Sequence, residues 1–327
     1  IGFNALYRNT TGRKNTSAGD SSLCSNTTGY QNTATGYRAL YSNTTGYNNT
    51  ALGSEALYSN NASYNTGLGI RALYYCQAGS YNTAVGYGAM AATSSGPGHH
   101  NTSIGNEALG KIAGGHNNTS AGSISLQSLT TGSGNTAMGF SALNFTTTGA
   151  HNTGIGVNAG NNNTTGNDNT CIGYFANVAS NNLSNATAIG YNASVNASNK
   201  IVLGNASATT VGGYGNWTNY SDSRLKENIK YINDLGLNFI SRLKTVEFNY
   251  IEDKNKRRRD GLIAQDVQKI LEDLNLDFSG LVIDNDNKRT LNLSYGDFVI
   301  PLINAVQEQQ KQIDELKQLV QSLMEKK

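Results

Sequence analysis

Over the first 220 residues the apolar positions do not recur every three or four residues, as an amphipathic helix requires, but once per unit of about seventeen. They fall at Ala-Leu pairs or close relatives: Ala39-Leu40, Ala56-Leu57, Ala72-Leu73, Ala89-Met90, Ala108-Leu109 and Ala142-Leu143. Between them runs a polar signature, Asn-Thr-x-x-Gly or a variant, read eleven times at Asn15, Asn32, Asn49, Asn65, Asn82, Asn101, Asn118, Asn135, Asn152, Asn169 and Asn185. The step is seventeen except for sixteen at two places and nineteen at one, the longest step holding Gly96-Pro97-Gly98. Each copy has its glycine, from Gly19 in the first to Gly190 in the last. A register kept over eleven copies marks a unit stacked on copies of itself and argues against a disordered low-complexity tract.

A unit of this length with two glycines and a threonine-rich stretch reads as two short strands joined by two tight turns, one coil of a β-solenoid or β-roll. Glycine recurs where a small coil must turn through positive φ or where a Cβ would clash. The recurrent Asn is placed to stack on its counterpart one strand away and to satisfy buried backbone groups through its amide. Eleven coils at about 4.8 Å give a rod on the order of 50 Å long. Gly, Asn, Thr, Ser and Ala dominate residues 1–220, so one coil buries little. Stability is expected from stacking along the axis and from lateral association of chains. Sequons such as Asn26-Thr27-Thr28 follow from the repeat and do not indicate glycosylation.

Charge divides the chain near residue 220. Of 24 basic and 22 acidic residues, seven and four lie before that point, leaving 17 and 18 in the last 107 residues. The domains expected are therefore 1–220, a repeat shaft or tip, then 221–298, and a closing helix, 299–327. A net charge of +2, evenly spread in the second part, points to neither nucleic acid nor a membrane surface as partner. The dense run Lys254 to Arg259 lies between strand-like 246–251 and 261–264 and reads as a solvated hairpin loop. Cys24, Cys76 and Cys171, odd in number and in different registers, suggest free small side chains rather than disulfides. His100 and His151 precede the repeat Asn; a three-fold ring of either could hold a metal, but surface imidazoles are the simpler reading, and no metal or cofactor is expected. A start at Ile1 suggests a fragment or processed product.

In the charged part, Ser221 and Lys226 stand five apart, about one and a half turns if Ser221 lies at the mouth of a helix. On spacing alone an N-cap is the plain interpretation. From Val299 the heptad a positions are Val299, Val306, Ile313 and Val320, and the d positions Leu302, Gln309, Leu316 and Leu323. Seven of these eight are apolar, the pattern of a coiled coil, with burial on the chain's own helices as the competing explanation.

Ser221 to Ile229, Leu243-Lys-Thr-Val-Glu-Phe248, Gly261-Leu-Ile-Ala-Gln-Asp-Val267, Leu293-Ser-Tyr-Gly-Asp-Phe298 and the closing helix together resemble the intramolecular chaperone domain of the peptidase S74 family, found at the C-terminus of phage tail spikes and fibres, endosialidases among them. Asp266 stands where the family usually has Glu, a difference of packing rather than chemistry. The resemblance implies that Ser221 is the nucleophile and Lys226 the general base of a self-cleaving dyad, cutting the Tyr220-Ser221 bond once and turning over no external substrate. A serine hydroxyl needs an adjacent base, and a lysine must be partly desolvated to serve as one. β-Branched a with Leu d leans towards two strands by the usual rule; the resemblance and the needs of the rod argue for three, with Gln309 biasing strand number.

The expectation is a homotrimeric tail-fibre or tail-spike segment, located in the virion and meeting a host-surface receptor or glycan, whose C-terminal chaperone aligns three chains and then releases itself. The repeats are also similar to the heads of trimeric autotransporter adhesins, which supports the alternative of a bacterial surface adhesin carrying such a chaperone; a membrane-anchoring β-barrel downstream would mark it. A glycan-degrading spike is disfavoured because the four acidic residues of 1–220, Asp20, Glu55, Glu107 and Asp168, are not paired as glycoside hydrolysis requires.

Overall fold

The computed structural model describes residues 1–91, 96–208, 210–212, 218–251, 253, 255–286 and 288–325. Two compact units, Ile1–Asn205 and Ala206–Lys327, make up the chain.

The first unit is a β-solenoid. A twelve-stranded parallel sheet follows the order of the sequence, from Thr16–Ala18 through Thr187–Ile189 to Ile201–Leu203, each of its strands three residues long. Register is like on like: Thr16 faces Thr33, Thr33 faces Thr50, and Thr136 faces Thr153. Strand side chains alternate, so the central residue points inward and the two flanking ones outward. Ala34, Ala51, Ala84 and Ala137 are accordingly buried. Inside, they meet Leu23, Leu40, Leu57, Leu73, Met90, Leu109, Leu126 and Leu143 in one thin column of side chains.

Among the described residues, most coils lack the expected second strand. A second parallel pair, Asn177–Val178 with Ser194–Val195, occurs late in the unit. Elsewhere the Ala-Leu stretch is a turn in which the sign of φ alternates: Gly36 at 134°, Arg38 at 53° and Leu40 at 53° are positive, and the residues between them are not. Arg38 N–H donates down to Asp20 O at 2.9 Å and Leu40 N–H donates up to Ala56 O at 3.0 Å, while Ala39 N–H between them closes back on Gly36 O at 3.3 Å. The turn is thus bonded to both neighbouring coils. Gly36 combines both reasons for glycine, since a Cβ there would lie 2.4 Å from the carbonyl oxygen of Gly53.

The asparagine ladder runs through the core. Asn32 N–H donates to Asn15 Oδ1 at 3.0 Å, and its own Nδ2 donates to Gly46 O at 2.8 Å. Each following Asn repeats the pair of bonds, as Asn118 does with Asn101 Oδ1 at 2.9 Å and Gly132 O at 3.0 Å. One register assignment is corrected here. The residue above Asn169 is Ala186, whose N–H donates to Asn169 Oδ1 at 3.0 Å; Asn185 sits one place earlier and donates instead to Asn199 Oδ1 at 2.9 Å. Alanine has no amide to pass on, so the ladder ends at Asn169.

Irregular steps are absorbed in the turns and leave strand register intact. The step from Asn49 to Asn65 lacks one residue in its turn, and Asn61 Oδ1 accepts from Thr44 N–H and Thr45 N–H at 3.1 and 3.0 Å. One coil earlier, Thr44 O accepts the corresponding bonds from Thr27 and Thr28. The nineteen-residue step still pairs Thr83 with Thr102, and Gly98 O accepts from Asn82 Nδ2 at 2.8 Å.

The second unit is small and mixed. Its helices are α1 (Leu237–Ile240), α2 (Ala264–Leu274) and α3 (Val299–Glu325). Two antiparallel hairpins pair Val246–Phe248 with Arg259–Gly261 and Leu281–Ile283 with Leu291–Leu293. The core gathers Leu235, Phe239, Val267, Leu271, Phe278 and Phe298, with Phe278 edge-on to both Phe239 and Phe298. Residues 255–258 of the basic run lie in the first hairpin's loop, whereas Arg259 opens its second strand, paired with Phe248; Lys254 lies outside the described residues. Arg257 is not merely solvated, for it pairs at 2.8 Å with the buried Asp253.

Replacing Asn118 by Ala strands the buried Asn135 N–H and the Gly132 carbonyl. A loss of about 1–3 kcal/mol for the surrounding coils is expected. Hydrogen exchange at Asn135 should accelerate accordingly, and unchanged protection there would contradict the ladder's role.

Candidate functional site

Five residues separate Ser221 from Lys226, a span of about 16 Å if the chain were extended. A 3₁₀ turn over Ser223–Leu225 folds the segment back on itself. Leu225 N–H donates to Asp222 O at 3.1 Å and Lys226 N–H to Ser223 O at 3.2 Å. The helix mouth predicted at Ser221 therefore lies one residue later and opens a shorter, tighter element: Asp222 is the N-cap, its side chain accepting from Arg224 N–H at 2.9 Å. Lys226 leaves the turn in extended backbone, at φ −125° and ψ 142°. Its ammonium comes back to Ser221 Oγ, with Nζ donating at 2.9 Å.

Both members of that contact are exposed in the single chain, and Tyr220 is 91% exposed. As an ammonium, Lys226 can donate to the hydroxyl; as a free amine it could take the hydroxyl proton. Only an uncharged amine can take that proton, so the second role requires desolvation. Asp222 and Arg224 were not singled out by spacing. The Arg224 guanidinium bonds both oxygens of Asp222 and holds its carboxyl below the usual carboxylate range.

The heptad residues all lie on α3. Val299, Leu302, Val306, Ile313, Leu316, Val320 and Leu323 are 45–61% exposed, and Gln309 is exposed among them. The competing expectation, burial on the chain's own helices, fails for this face. The face that does pack on the domain is another one: Pro301 and Ala305 are buried, Asn304 Nδ2 donates to Leu235 O at 3.1 Å, and Glu308 accepts from Leu237 N–H at 2.8 Å. Glu308 thereby supplies the start of α1 with the partner its own sequence lacks, since Gly236 at the N-cap has no side chain.

The remaining candidates lie apart from this site. His100 stacks on Tyr81 at 4.9 Å, and His151 Nδ1 is 3.3 Å from Asp168. Glu55 pairs with Arg71 at 2.8 Å, and Glu107 accepts from Gln127 at 2.6 Å. Among the described residues no group of three or more His, Cys, Asp or Glu side chains could hold a metal ion. No helix among them is long and apolar enough to cross a membrane.

A repetitive solenoid followed by a small domain with an exposed apolar helix seam and a Ser-Lys contact is the class of protein that the geometry defines. Residues 221–276 match the family model of peptidase S74, described as the chaperone of endosialidase. The match begins at Ser221 and ends after α2, so the Leu293–Phe298 motif and α3 lie beyond it. Neither the comparison with curated proteins nor that with solved structures found a match. A peptidase S74 chaperone domain preceded by a β-solenoid fits a tail-fibre or tail-spike-like protein, and the family suggests self-cleaving activity.

All three cysteines are free, and burial pushes the Cys76 and Cys171 thiols up to about 12. Alkylation at pH 8 should modify the half-exposed Cys24 and spare those two until the solenoid is unfolded, as read by mass. Equal labelling rates at all three would contradict their burial.

Proposed function

We propose that this chain is a segment of a viral or phage tail fibre or tail spike, a homotrimer whose C-terminal domain aligns three solenoids and then releases itself by cutting at Ser221. The observation that carries the reading is the 2.9 Å contact between Lys226 Nζ and Ser221 Oγ at the first residue of the S74 match.

The chemistry follows from that placement. Ser221 Oγ adds to the Tyr220 carbonyl carbon as its proton passes to an uncharged Lys226 Nζ. The Tyr220-Ser221 C–N bond then breaks, the proton goes to the departing Ser221 amine, and Tyr220 is left as an ester on Oγ. Water hydrolyses that ester, giving a Tyr220 carboxylate and restoring the hydroxyl. The chain cuts one bond and is consumed as its own substrate. Lys226 acts only when partly dried. Since both groups are exposed in one chain, packing of neighbouring copies against the segment would supply the desolvation and tie cutting to assembly.

Three copies are supported by two surfaces. On α3 the exposed seam is broader than a and d alone, because Ile303, Leu319 and Met324 add exposed apolar surface beside it. A wide seam suits more than two helices. On the solenoid the outward third position of the strands carries Leu52, Leu68, Ile104, Met138, Ile155 and Ile189, all 38–49% exposed and one coil apart or a whole number of coils apart. Exposed apolar side chains repeated at one strand position are the kind of surface that marks a protein–protein contact. The virion is the location this reading gives, with a host-surface receptor or glycan as the partner. A trimeric bacterial surface adhesin with the same chaperone would share the geometry, and a membrane-anchoring segment in the full-length gene product would identify it.

Intact-mass measurement of the expressed chain should find a break between Tyr220 and Ser221, with no break in Ser221→Ala or Lys226→Gln. An uncut wild-type chain of full mass in its assembled form would overturn the cleavage reading. Light scattering should give three times the chain mass, and Leu316→Asp, which places a charge in the seam, should shift the product to single chains. A dimer mass for the wild type would overturn the trimer.

A further inference from the structure

We propose that Asp222 is a positioning residue for self-cleavage: its carboxylate holds the turn that returns Lys226 to Ser221. The inference rests on the self-cleaving reading given above.

The chain must reverse within three residues to bring Nζ to Oγ, and little else in the segment holds that reversal. The turn Ser223–Leu225 buries no residue, and its two backbone bonds, at 3.1 and 3.2 Å, are those of an isolated 3₁₀ turn, a geometry weak on its own. Leu225, the one large apolar side chain in the turn, is 67% exposed. Packing within the chain therefore does not fix it.

What does fix it is polar and centred on one side chain. Asp222 Oδ1 accepts from Arg224 N–H at 2.9 Å, meeting a donor that the start of a helical turn otherwise leaves open. Both carboxylate oxygens also accept from the guanidinium, with Nε at 3.0 Å from each and Nη2 on Oδ2. Charge-assisted bonds of this bidentate kind are stronger than neutral ones. The aspartate thus closes a ring through residues 222–224 and sets the direction in which residue 226 leaves. Among the described residues its oxygens bond neither Ser221 Oγ nor Lys226 Nζ, which bond each other. It acts through the backbone, which makes it a positioning residue and not a catalytic one. Arg224, with its side chain 86% exposed and Asp222 as its ion partner, has no evident part in the domain's core.

An alternative assignment would make Asp222 part of the fold. It sits outside the cluster of Leu235, Phe239, Val267, Leu271, Phe278 and Phe298, and it is exposed. Removing it should leave that cluster, α3 and assembly untouched while slowing the cut.

The test compares release of the fragment over time in the full chain for wild type, Ser221→Ala, Asp222→Ala, Asp222→Asn and Asp222→Ser, with the assembled mass measured for each. Loss of a capping side chain predicts a slowing of roughly five- to thirtyfold for Asp222→Ala. Asn and Ser, which retain a capping acceptor but lose the charged pairing with Arg224, should recover only part of the rate. Every variant should assemble to the wild-type mass. Wild-type release from Asp222→Ala would overturn the proposal. So would loss of assembly in that variant, or release from Asn and Ser no faster than from Ala. Absence of release in the wild type, or its persistence in Ser221→Ala, would instead remove the self-cleaving reading and the role of Asp222 with it.

Discussion

Main-chain hydrogen bonding between successive coils is the constraint on which the first unit depends. Neither the three-residue strands nor the alternating-φ turns hold themselves; both give their N–H and C=O groups to the coils above and below. The apolar contribution per coil is an alanine and a leucine, or near equivalents, too little to order seventeen residues against their conformational entropy. The asparagine column adds two bonds per coil at a place where unmet donors and acceptors would be costly. Cooperation along the axis replaces a core.

That economy creates a difficulty of register. Because Thr pairs with Thr and Asn bonds Asn at every step, successive coils carry nearly the same groups, and in the proposed trimer a displacement of one copy by a whole coil would bring like positions together again. Hydrophobic patterning, which ordinarily penalises a slipped strand, is silent for a slip of a full period. In the proposed trimer, alignment would then come from a segment that is not repetitive. Residues 221–325 are such a segment, with motifs that occur once and a helix whose apolar seam is uncovered by its own chain. Glu308 and Asn304 fasten the opposite face of α3 to the domain, so the seam is presented in a fixed orientation.

Much of this was legible in the residues. The period, the buried stacking of Asn and the position of the Ala-Leu pairs inside the coil all follow from the repeat. The turn did not. Leu40 and its counterparts adopt positive φ, where leucine is rarely found, because bonds to two neighbouring coils hold them there, and no local propensity signals that. Counting asparagines also misplaced the last copy by one residue, since Asn185 satisfies the composition of the motif and Ala186 occupies its place. A second amide column was there to be read in Asn9, Asn26, Asn43 and Asn60, whose side chains bond in series at 2.7 to 3.4 Å. At the candidate site the spacing of Ser221 and Lys226 was visible, but which residue shapes the loop between them depends on a carboxylate and a guanidinium meeting across two positions.

The end of the solenoid shows what the repeat gives up when regularity stops. Beyond Asn169 the amide ladder is broken by Ala186, and the final step to Ile201 is fourteen residues. These coils acquire the second strand pair that the others lack, and Val178, Leu183 and Val195 form a separate buried cluster with Ala176 and Ala193. Branched side chains on two short strands can fill space that asparagine amides fill by bonding. The exchange suits a terminal coil, where a ladder of identical groups has no further copy to bond and burial does not need one.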